Sequence, residues 1–199
     1  DMVVPIGLGR SISLTRYYNS FFDPVGELGS GWTFDLPRLL MTKIPVMRDG
    51  KQSKYRIVPN LISPLGTVDI RFDKIDRVEP YGTQMYVGYS EIAGAKTHQV
   101  LFRNGAKWHF DDDGWLVLVQ HEGTATRYTR DKKGHVLRVE GYVGPTAVAN
   151  IKLGYDQQGR ITTAKAWQAD PLRLQVPAVV SELKFEYNDD GRLGAVINH

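Results

Sequence analysis

The residues best suited to chemistry are two histidines and three aspartates in the middle of the chain. His98 and His109 stand on either side of a hairpin signal, and Asp111, Asp112 and Asp113 follow directly. Mixed imidazole and carboxylate ligands suit zinc or manganese. A turn beside two ordinary strand histidines explains the same pattern, and this second interpretation is favoured. The sequence therefore predicts no metal site and no cofactor.

The geometry of this group depends on a hairpin around Asn104 and Gly105. An Asn-Gly pair between two strand-like runs is typical of a two-residue type I′ turn, because both central positions need positive φ. This register predicts that His98 lies opposite Asp111 and that His109 lies opposite Val100.

Other catalytic signals are weak. Ser30 lies between two glycines in "GSGW", but no strand-to-helix elbow can be placed there, so a structural turn is favoured. The chain has no phosphate-binding glycine loop and no H-E-x-x-H motif. It also has no Cys, which excludes a Cys nucleophile, thiolate zinc sites and disulfides. His121, His135 and His199 are interpreted as surface residues. We therefore predict that the chain is not an enzyme.

Charge and hydropathy exclude two further classes of partner. The 199 residues include 25 basic and 22 acidic ones, a net charge of +3, without a long run of like charge. A nucleic-acid stripe is therefore not predicted, and the basic residues between Arg127 and Arg138 are interpreted as a solvated hairpin. No apolar run approaches the roughly 20 residues that span a bilayer, so no membrane span is predicted.

Apolar and polar residues alternate with period two along most of the chain. In "SELKFEY", Leu183, Phe185 and Tyr187 share one face, and "TVDIRFD" (67–73) alternates in the same way. "WLVLV" (115–119) is apolar on both faces, which suits a strand covered on both sides. Residues 145–150 are the best candidate for a short helical turn. The sequence predicts an all-β fold of successive antiparallel hairpins that form a continuous curved sheet.

One turn pattern occurs four times in the second half of the chain. Each copy has Asp or Asn, two further residues and then Gly, and an aromatic residue comes before it. The glycines are Gly114, Gly134, Gly159 and Gly191, and the aromatics are Phe110, Tyr128, Tyr155 and Tyr187. The middle residues predict a type I turn, with the Gly at positive φ in a G1 bulge. Because one hairpin cannot bury its own apolar face, repeated hairpins predict a continuous sheet or solenoid. Residues 169–180 are predicted to be a connecting loop between the last two copies.

The last two copies resemble the Rhs, or YD-repeat, pattern of Tyr-Asp-x-x-Gly-Arg. They supply Tyr155, Asp156, Gly159 and Arg160 in one copy, and Tyr187, Gly191 and Arg192 in the other. Residues 14–36 are similar to the segment with which Rhs cores begin, through Arg16, Tyr18, Asn19, Ser20, Leu28, Gly29, Gly31 and Trp32. The chain departs from the pattern at His135 and Trp115, which stand where the pattern has Arg, and at Gly194, which interrupts the last strand.

The resemblance implies that the chain is a segment of a spiral β-shell that encloses a C-terminal toxin. Its partners would be the rest of that shell, the enclosed toxin domain and proteins of the secretion machinery, and its location would be secreted or delivered by a bacterial secretion system. We expect an opening segment (1–40), a β-rich region outside the repeat (41–109) and four degenerate repeats (110–199), forming one continuous unit cut from a longer chain. The alternative is a self-contained all-β module that binds a carbohydrate or a receptor, because the chain is rich in aromatic residues.

Overall fold

The structure, a computed structural model, describes residues 1–18, 25–48, 50–62, 70–71, 85–92, 94–170 and 173–198. Every regular element in these residues is a β-strand, and every pair of strands is antiparallel. The prediction of an all-β fold of antiparallel hairpins is confirmed. In the same residues there is no helix long and apolar enough to cross a membrane. The chain divides into two compact units, Leu36–Glu122 and the combination of Asp1–Asp35 with Gly123–His199.

The unit built from both ends of the chain, called unit 1, contains two groups of strands. The first group is β1 (Met2–Gly7), β2 (Arg10–Leu14), β3 (Arg16–Tyr18), β4 (Val25–Gly26), β5 (Gly29–Ser30) and β6 (Trp32–Phe34). The second group consists of six consecutive sheet strands, β14 (Thr124–Arg130), β15 (Val136–Val143), β16 (Thr146–Tyr155), β17 (Ile161–Asp170), β18 (Arg173–Tyr187) and β19 (Leu193–Asn198). The first group forms three two-stranded pairs, β1 with β2, β3 with β6 and β4 with β5.

The core of unit 1 lies between the β1–β2 hairpin and one face of the six-stranded sheet. Alternate residues of β1 are buried, as its period-two pattern requires, and they face β15, β16 and β17. At the closest approach Gly141 lies against Ile6 and Ile12, where a side chain would overlap both. In "SELKFEY", Leu183 and Phe185 are buried while the intervening Lys184 is exposed, as predicted.

The central unit, called unit 2, consists of a three-stranded and a four-stranded group. The former contains β7 (Arg38–Arg48), β8 (Lys51–Ile62) and β9 (Ile70–Arg71), and the latter contains β10 (Met85–Ile92), β11 (Ala95–Phe102), β12 (Lys107–Phe110) and β13 (Leu116–His121). Only Ile70 and Arg71 of the predicted "TVDIRFD" strand lie inside the described residues, and both are in β9.

Two local predictions are wrong, and a third holds in part. Residues 145–150 are not helical, because Thr146 begins a ten-residue strand in which Ala149 pairs with Gly141. Residues 169–180 are mostly strand rather than loop: the insertion lengthens β17 and β18, which the period-two apolar spacing of its sequence suits. In "WLVLV" the strand begins at Leu116; Leu116 and Leu118 are buried while Val117 and Val119 are half-buried, so the second face is covered in part.

Candidate functional site

The repeated turns have the same backbone geometry in all four copies. In the third, the amide of Gly159 donates to the carbonyl of Asp156 (3.1 Å), and the amide of Asp156 donates to the carbonyl of Arg160 (2.9 Å). The other three turns make the equivalent two bonds, beginning at Asp111, Asp131 and Asn188. The four glycines have φ between 77° and 91°. The prediction of type I turns with a glycine bulge is therefore confirmed.

The carboxylate at the first turn position holds the turn together. Asp156 Oδ1 accepts the amides of Gln158 and Arg160, each at 2.9 Å, and its Oδ2 accepts Arg160 Nε at 2.8 Å. Asp131 makes the same three contacts, with His135 Nδ1 (2.9 Å) in place of the guanidinium. Burial acts to raise the pKa of Asp156, but the bonds from the Arg160 amide and side chain and the Arg160 charge lower it overall.

A tyrosine joins each of the last two turns to the turn before it. Tyr155 Oη donates to the carbonyl of Val136 (2.6 Å), and Tyr187 Oη donates to the carbonyl of Ile161 (2.9 Å). These two acceptors are equivalent, since each lies two residues after the turn glycine, Gly134 or Gly159. Burial raises the pKa of Tyr187 to about 12, although the nearby arginine acts against it. The hydroxyl is therefore a donor at any physiological pH.

The residue after each of these glycines covers the ring of the next tyrosine. The Arg160 guanidinium lies 4.6 Å from the centroid of the Tyr187 ring, a cation–π distance. His135 stacks on Tyr155, with centroids 5.2 Å apart and planes 22° apart. His135 is therefore not the surface residue that was predicted: its ring pairs with Asp131 and covers Tyr155, as the Arg160 guanidinium does with Asp156 and Tyr187.

The second turn departs from the aromatic pattern. The residue equivalent to Tyr155 is Arg130, which pairs with Val136 and donates from Nη1 to the Gly134 carbonyl at 2.7 Å. Tyr128 lies two residues earlier, opposite Val139, and burial raises its pKa to about 12. The sequence interpretation that made Tyr128 the aromatic of this repeat is therefore wrong.

The turn 26–29, between β4 and β5, lies across three successive repeat turns. Its Glu27 carbonyl accepts the amide of Ile161 at 2.8 Å and lies 3.4 Å from Tyr187 Oη, whose proton is donated to Ile161. Leu28 is fully buried, and a Cβ built on Gly29 would lie 2.6 Å from the carbonyl oxygen of Gly191. We call this segment, residues 26–29, the brace, because it binds repeats two, three and four together.

The Glu27 side chain contacts the second and third repeats. Its Oε1 accepts the amide of Val136 (3.3 Å), and its Oε2 lies 3.1 Å from Tyr155 Oη. Burial raises the pKa of Glu27, and the Tyr155 hydroxyl, Arg130, His135 and the Val136 amide only partly oppose this. Sequence reasoning missed Glu27. The available signal was an acidic residue between Gly26 and the motif residues Leu28 and Gly29, but nothing in the neighbouring sequence showed which residues it contacts.

Arg16 and Trp32 of the opening segment pack together next to Phe185. The Arg16 guanidinium lies 5.8 Å from the Trp32 ring and 5.9 Å from Phe185, and its Nε is 3.5 Å from Asp1 Oδ1. Tyr18 pairs with Trp32 across β3 and β6. Gly31 has positive φ (77°). Asn19 and Ser20 lie outside the described residues. The structure thus brings Arg16 and Trp32 to the repeat sheet through Phe185.

In unit 2 the start of β7 packs against the first repeat turn. The amide of Leu39 donates to the Gly114 carbonyl (2.9 Å), and a side chain at Gly114 would overlap the Leu39 carbonyl. Arg38 lies 3.6 Å over the Trp115 ring and donates to the Asp113 carbonyl at 3.1 Å. Trp115 takes the place of the repeat arginine, and a cation from another strand supplies the pairing.

The predicted register around Asn104 is wrong by one residue. Phe102 donates its amide to the Ala106 carbonyl, and Gly105 alone has positive φ, so the loop has three residues rather than two. As a result, His98 lies opposite Phe110, and His109 lies opposite Gln99.

The two histidines therefore point to opposite faces of the sheet. His109 is buried, with Nε2 3.1 Å from Gln120 Oε1, and burial lowers its pKa. His98 Nε2 lies 3.7 Å from Asp112 Oδ1, and burial lowers its pKa although Asp112 opposes the shift. No group of three metal-ligating side chains is found in the part of the chain that the structure describes.

Exposed aromatic rings next to Trp32 do not form a flat surface. Tyr17 and Tyr18 are 40% and 56% exposed, but as neighbours on β3 they face opposite sides of the strand. The Tyr18 ring is tilted by 48° to Trp32, with centroids 5.1 Å apart. A carbohydrate platform needs coplanar rings, which this group does not provide.

The fold, with its four equivalent turns, is that of an all-β protein built from repeated antiparallel hairpins. No protein-family model matches the chain, and no curated protein matches it. Among solved structures, it is similar to the N-terminal domain of effector protein SpvB from Salmonella typhimurium strain LT2, with a TM-score of 0.58 and 10% identity. The match covers 100% of this chain and 98% of that one. At this identity the similarity shows the fold alone.

Proposed function

We propose that this chain is a structural segment of an Rhs-type, YD-repeat shell that encloses a C-terminal toxin domain for delivery to target cells. In this function the chain catalyses nothing. Its partners are the remaining repeats of the shell, the enclosed domain and the secretion machinery that exports them. The effector protein whose N-terminal domain shares this fold supports delivery by a secretion system.

The observation that carries the proposal is the brace across three repeat turns. In a solenoid each repeat contacts only its neighbours, so a wall of hairpins is weak at every junction. The brace contacts Val136, Ile161 and Gly191, one residue from each of three repeats. The hydrogen bonds from Tyr155 and Tyr187, and the flat side chains that cover their rings, connect those repeats to one another. A rigid wall is what an enclosing shell requires, whereas a binding module would need an open surface with converging polar groups.

Electron cryomicroscopy of the complete protein that contains this chain tests the proposal. We expect further hairpins hydrogen-bonded to β19 and a terminal domain enclosed by the same sheet. A complete protein in which β19 faces solvent and no domain is enclosed would contradict the shell.

A binding assay distinguishes the alternative module. The chain is applied to a glycan array and to target cells, beside Tyr18→Ala and the control Leu137→Ala, which truncates another exposed apolar side chain. We expect no saturable binding. Saturable binding that only Tyr18→Ala abolishes would support a receptor- or carbohydrate-binding module instead.

A further inference from the structure

The contacts of the Tyr155 hydroxyl require more protons than the phenol can supply. Tyr155 Oη lies 2.6 Å from the Val136 carbonyl and 3.1 Å from Glu27 Oε2. A phenol has one proton to donate and can also accept. Two oxygens at 2.6 Å need a proton between them, so the Tyr155 proton lies toward Val136. The contact with Glu27 is then a hydrogen bond only if the proton comes from Glu27.

The contact of the second carboxyl oxygen, Glu27 Oε1, is consistent with a protonated Glu27. Glu27 Oε1 accepts the Val136 amide at 3.3 Å, as the carbonyl oxygen of a neutral acid does. If Glu27 were ionised, Oε2 would be a partly buried anionic oxygen facing the lone pairs of Tyr155 Oη, and burying such an oxygen without a donor is costly.

Among the described residues, four titratable groups face Glu27, two of them basic and two phenolic. Arg130, at the end of β14, donates from Nη1 to Gly134, and His135 in the next turn pairs with Asp131 at 2.9 Å. From β16 and β18 the facing groups are Tyr155 and Tyr187, neutral phenols whose pKa values are raised by burial. The charge of Arg130, and that of His135 when it is protonated, act against protonation of Glu27, but burial outweighs them and raises its pKa.

We propose that Glu27 is a proton-binding site: as a neutral carboxylic acid it donates to Tyr155 and accepts from Val136, so the brace holds the repeat turns more tightly in acid than at neutral pH. The pH dependence follows by linkage. Because the pKa of Glu27 is raised above its ordinary value of 4.5, its contribution is complete below that value. It is lost as the pH rises through the folded pKa, since the opened state has released its proton. Between the two values the opening constant rises about tenfold per pH unit.

Native-state hydrogen exchange of the Val136 and Ile161 amides tests this proposal. Both amides donate to Glu27. Opening constants are measured from about pH 4 to pH 8, corrected for intrinsic exchange, in the wild type and in Glu27→Gln. A Gln side chain has an N–H donor for Tyr155 and a carbonyl acceptor for Val136, as the neutral acid does, but it does not titrate. We expect opening in the wild type to increase with pH by up to about tenfold per unit relative to Glu27→Gln. Both proteins keep His135, so the difference between them isolates Glu27.

Carbon-13 NMR titration of the Glu27 carboxyl in the wild type provides a second readout that does not depend on the variant. We expect a midpoint clearly above 4.5, the ordinary value. A midpoint at or below that value overturns the proposal, even if Glu27→Gln fails to fold. Equal pH dependence of opening in the two proteins overturns it as well.

Discussion

Replacing Gly29 by alanine should destabilise unit 1 more than the same change at Gly191. Both residues have positive φ, 82° and 77°, so a Cβ at either costs about 1–2 kcal/mol of left-handed strain. At Gly191 the added Cβ would meet, among the described residues, only Arg160 Nη1 within 4 Å, at 3.7 Å. At Gly29 it would lie 2.6 Å from the Gly191 carbonyl oxygen, closer than the 3.0 Å that Cβ atoms tolerate, and 3.4 Å from the Tyr187 ring.

The backbone must therefore move at Gly29 but not at Gly191. Overpacking of this kind costs about 1–3 kcal/mol, so the free energy of unfolding should fall by about 2–5 kcal/mol for Gly29→Ala and about 1–2 kcal/mol for Gly191→Ala. The difference of about 1–3 kcal/mol corresponds to a urea midpoint roughly 0.3–3 M lower, for a typical slope of about 1–3 kcal/mol per M.

Urea unfolding followed by far-UV circular dichroism measures both midpoints. Hydrogen exchange of the Val136 and Ile161 amides in the same variants shows whether the lost stability is centred on the brace. Equal losses at the two glycines would refute the reasoning, because the cost would then be conformational strain alone and the brace would not touch the fourth turn closely.

Two further predictions concern the turns and the sheet edge. Gly159→Val should lower the thermal midpoint, because it puts a β-branched residue at φ 81° and a Cβ 3.0 Å from His135 Cε1. The expected cost is above roughly 1 kcal/mol. The control Ser30→Ala should stay within about 0.5 kcal/mol of the wild type. The opposite order would contradict the structural interpretation of both residues. Among the described strands β19 pairs with β18 alone, so the other side of β19 is an open sheet edge. The isolated chain should therefore self-associate through β19, and Ile197→Lys should reduce this association in sedimentation velocity. A clean wild-type monomer at high concentration would count against an open edge.

The features predicted correctly from the sequence are the ones that local chemistry determines. An Asp-x-x-Gly turn carries its own hydrogen-bond acceptor and its own residue for positive φ, so Asp156 and Gly159 identify it without reference to the rest of the chain. Strand alternation in "SELKFEY" is equally local, because a pleated strand with one buried face repeats every two residues.

The local predictions that failed depended on a choice between two closely similar geometries. Asn-Gly fits a two-residue loop, but a three-residue loop with Gly105 in the left-handed region serves as well, and Asn104 Oδ1 stabilises it by accepting the Ala106 amide at 3.0 Å. The pairing on β12 decides between them: the observed register buries Val100 and Phe110 completely. A shift of one residue would turn this buried set to the other face.

The residues of the repeat motif make contacts from one repeat to the next, and for this reason their spacing in the sequence could not explain the motif. Tyr155 bonds a carbonyl 19 residues earlier and Tyr187 one 26 residues earlier, and the interval differs because the strands between them differ in length. What stays constant is the pair of groups at each junction: a carbonyl two residues after the glycine, and a flat side chain one residue after it. Arg160 and His135 both satisfy the second requirement, so the motif tolerates either. Glu27 lies 128 residues from Tyr155, and no periodicity connects them. The brace becomes visible only when the turns are stacked, because it is the stack, and not any single repeat, that forms its binding site.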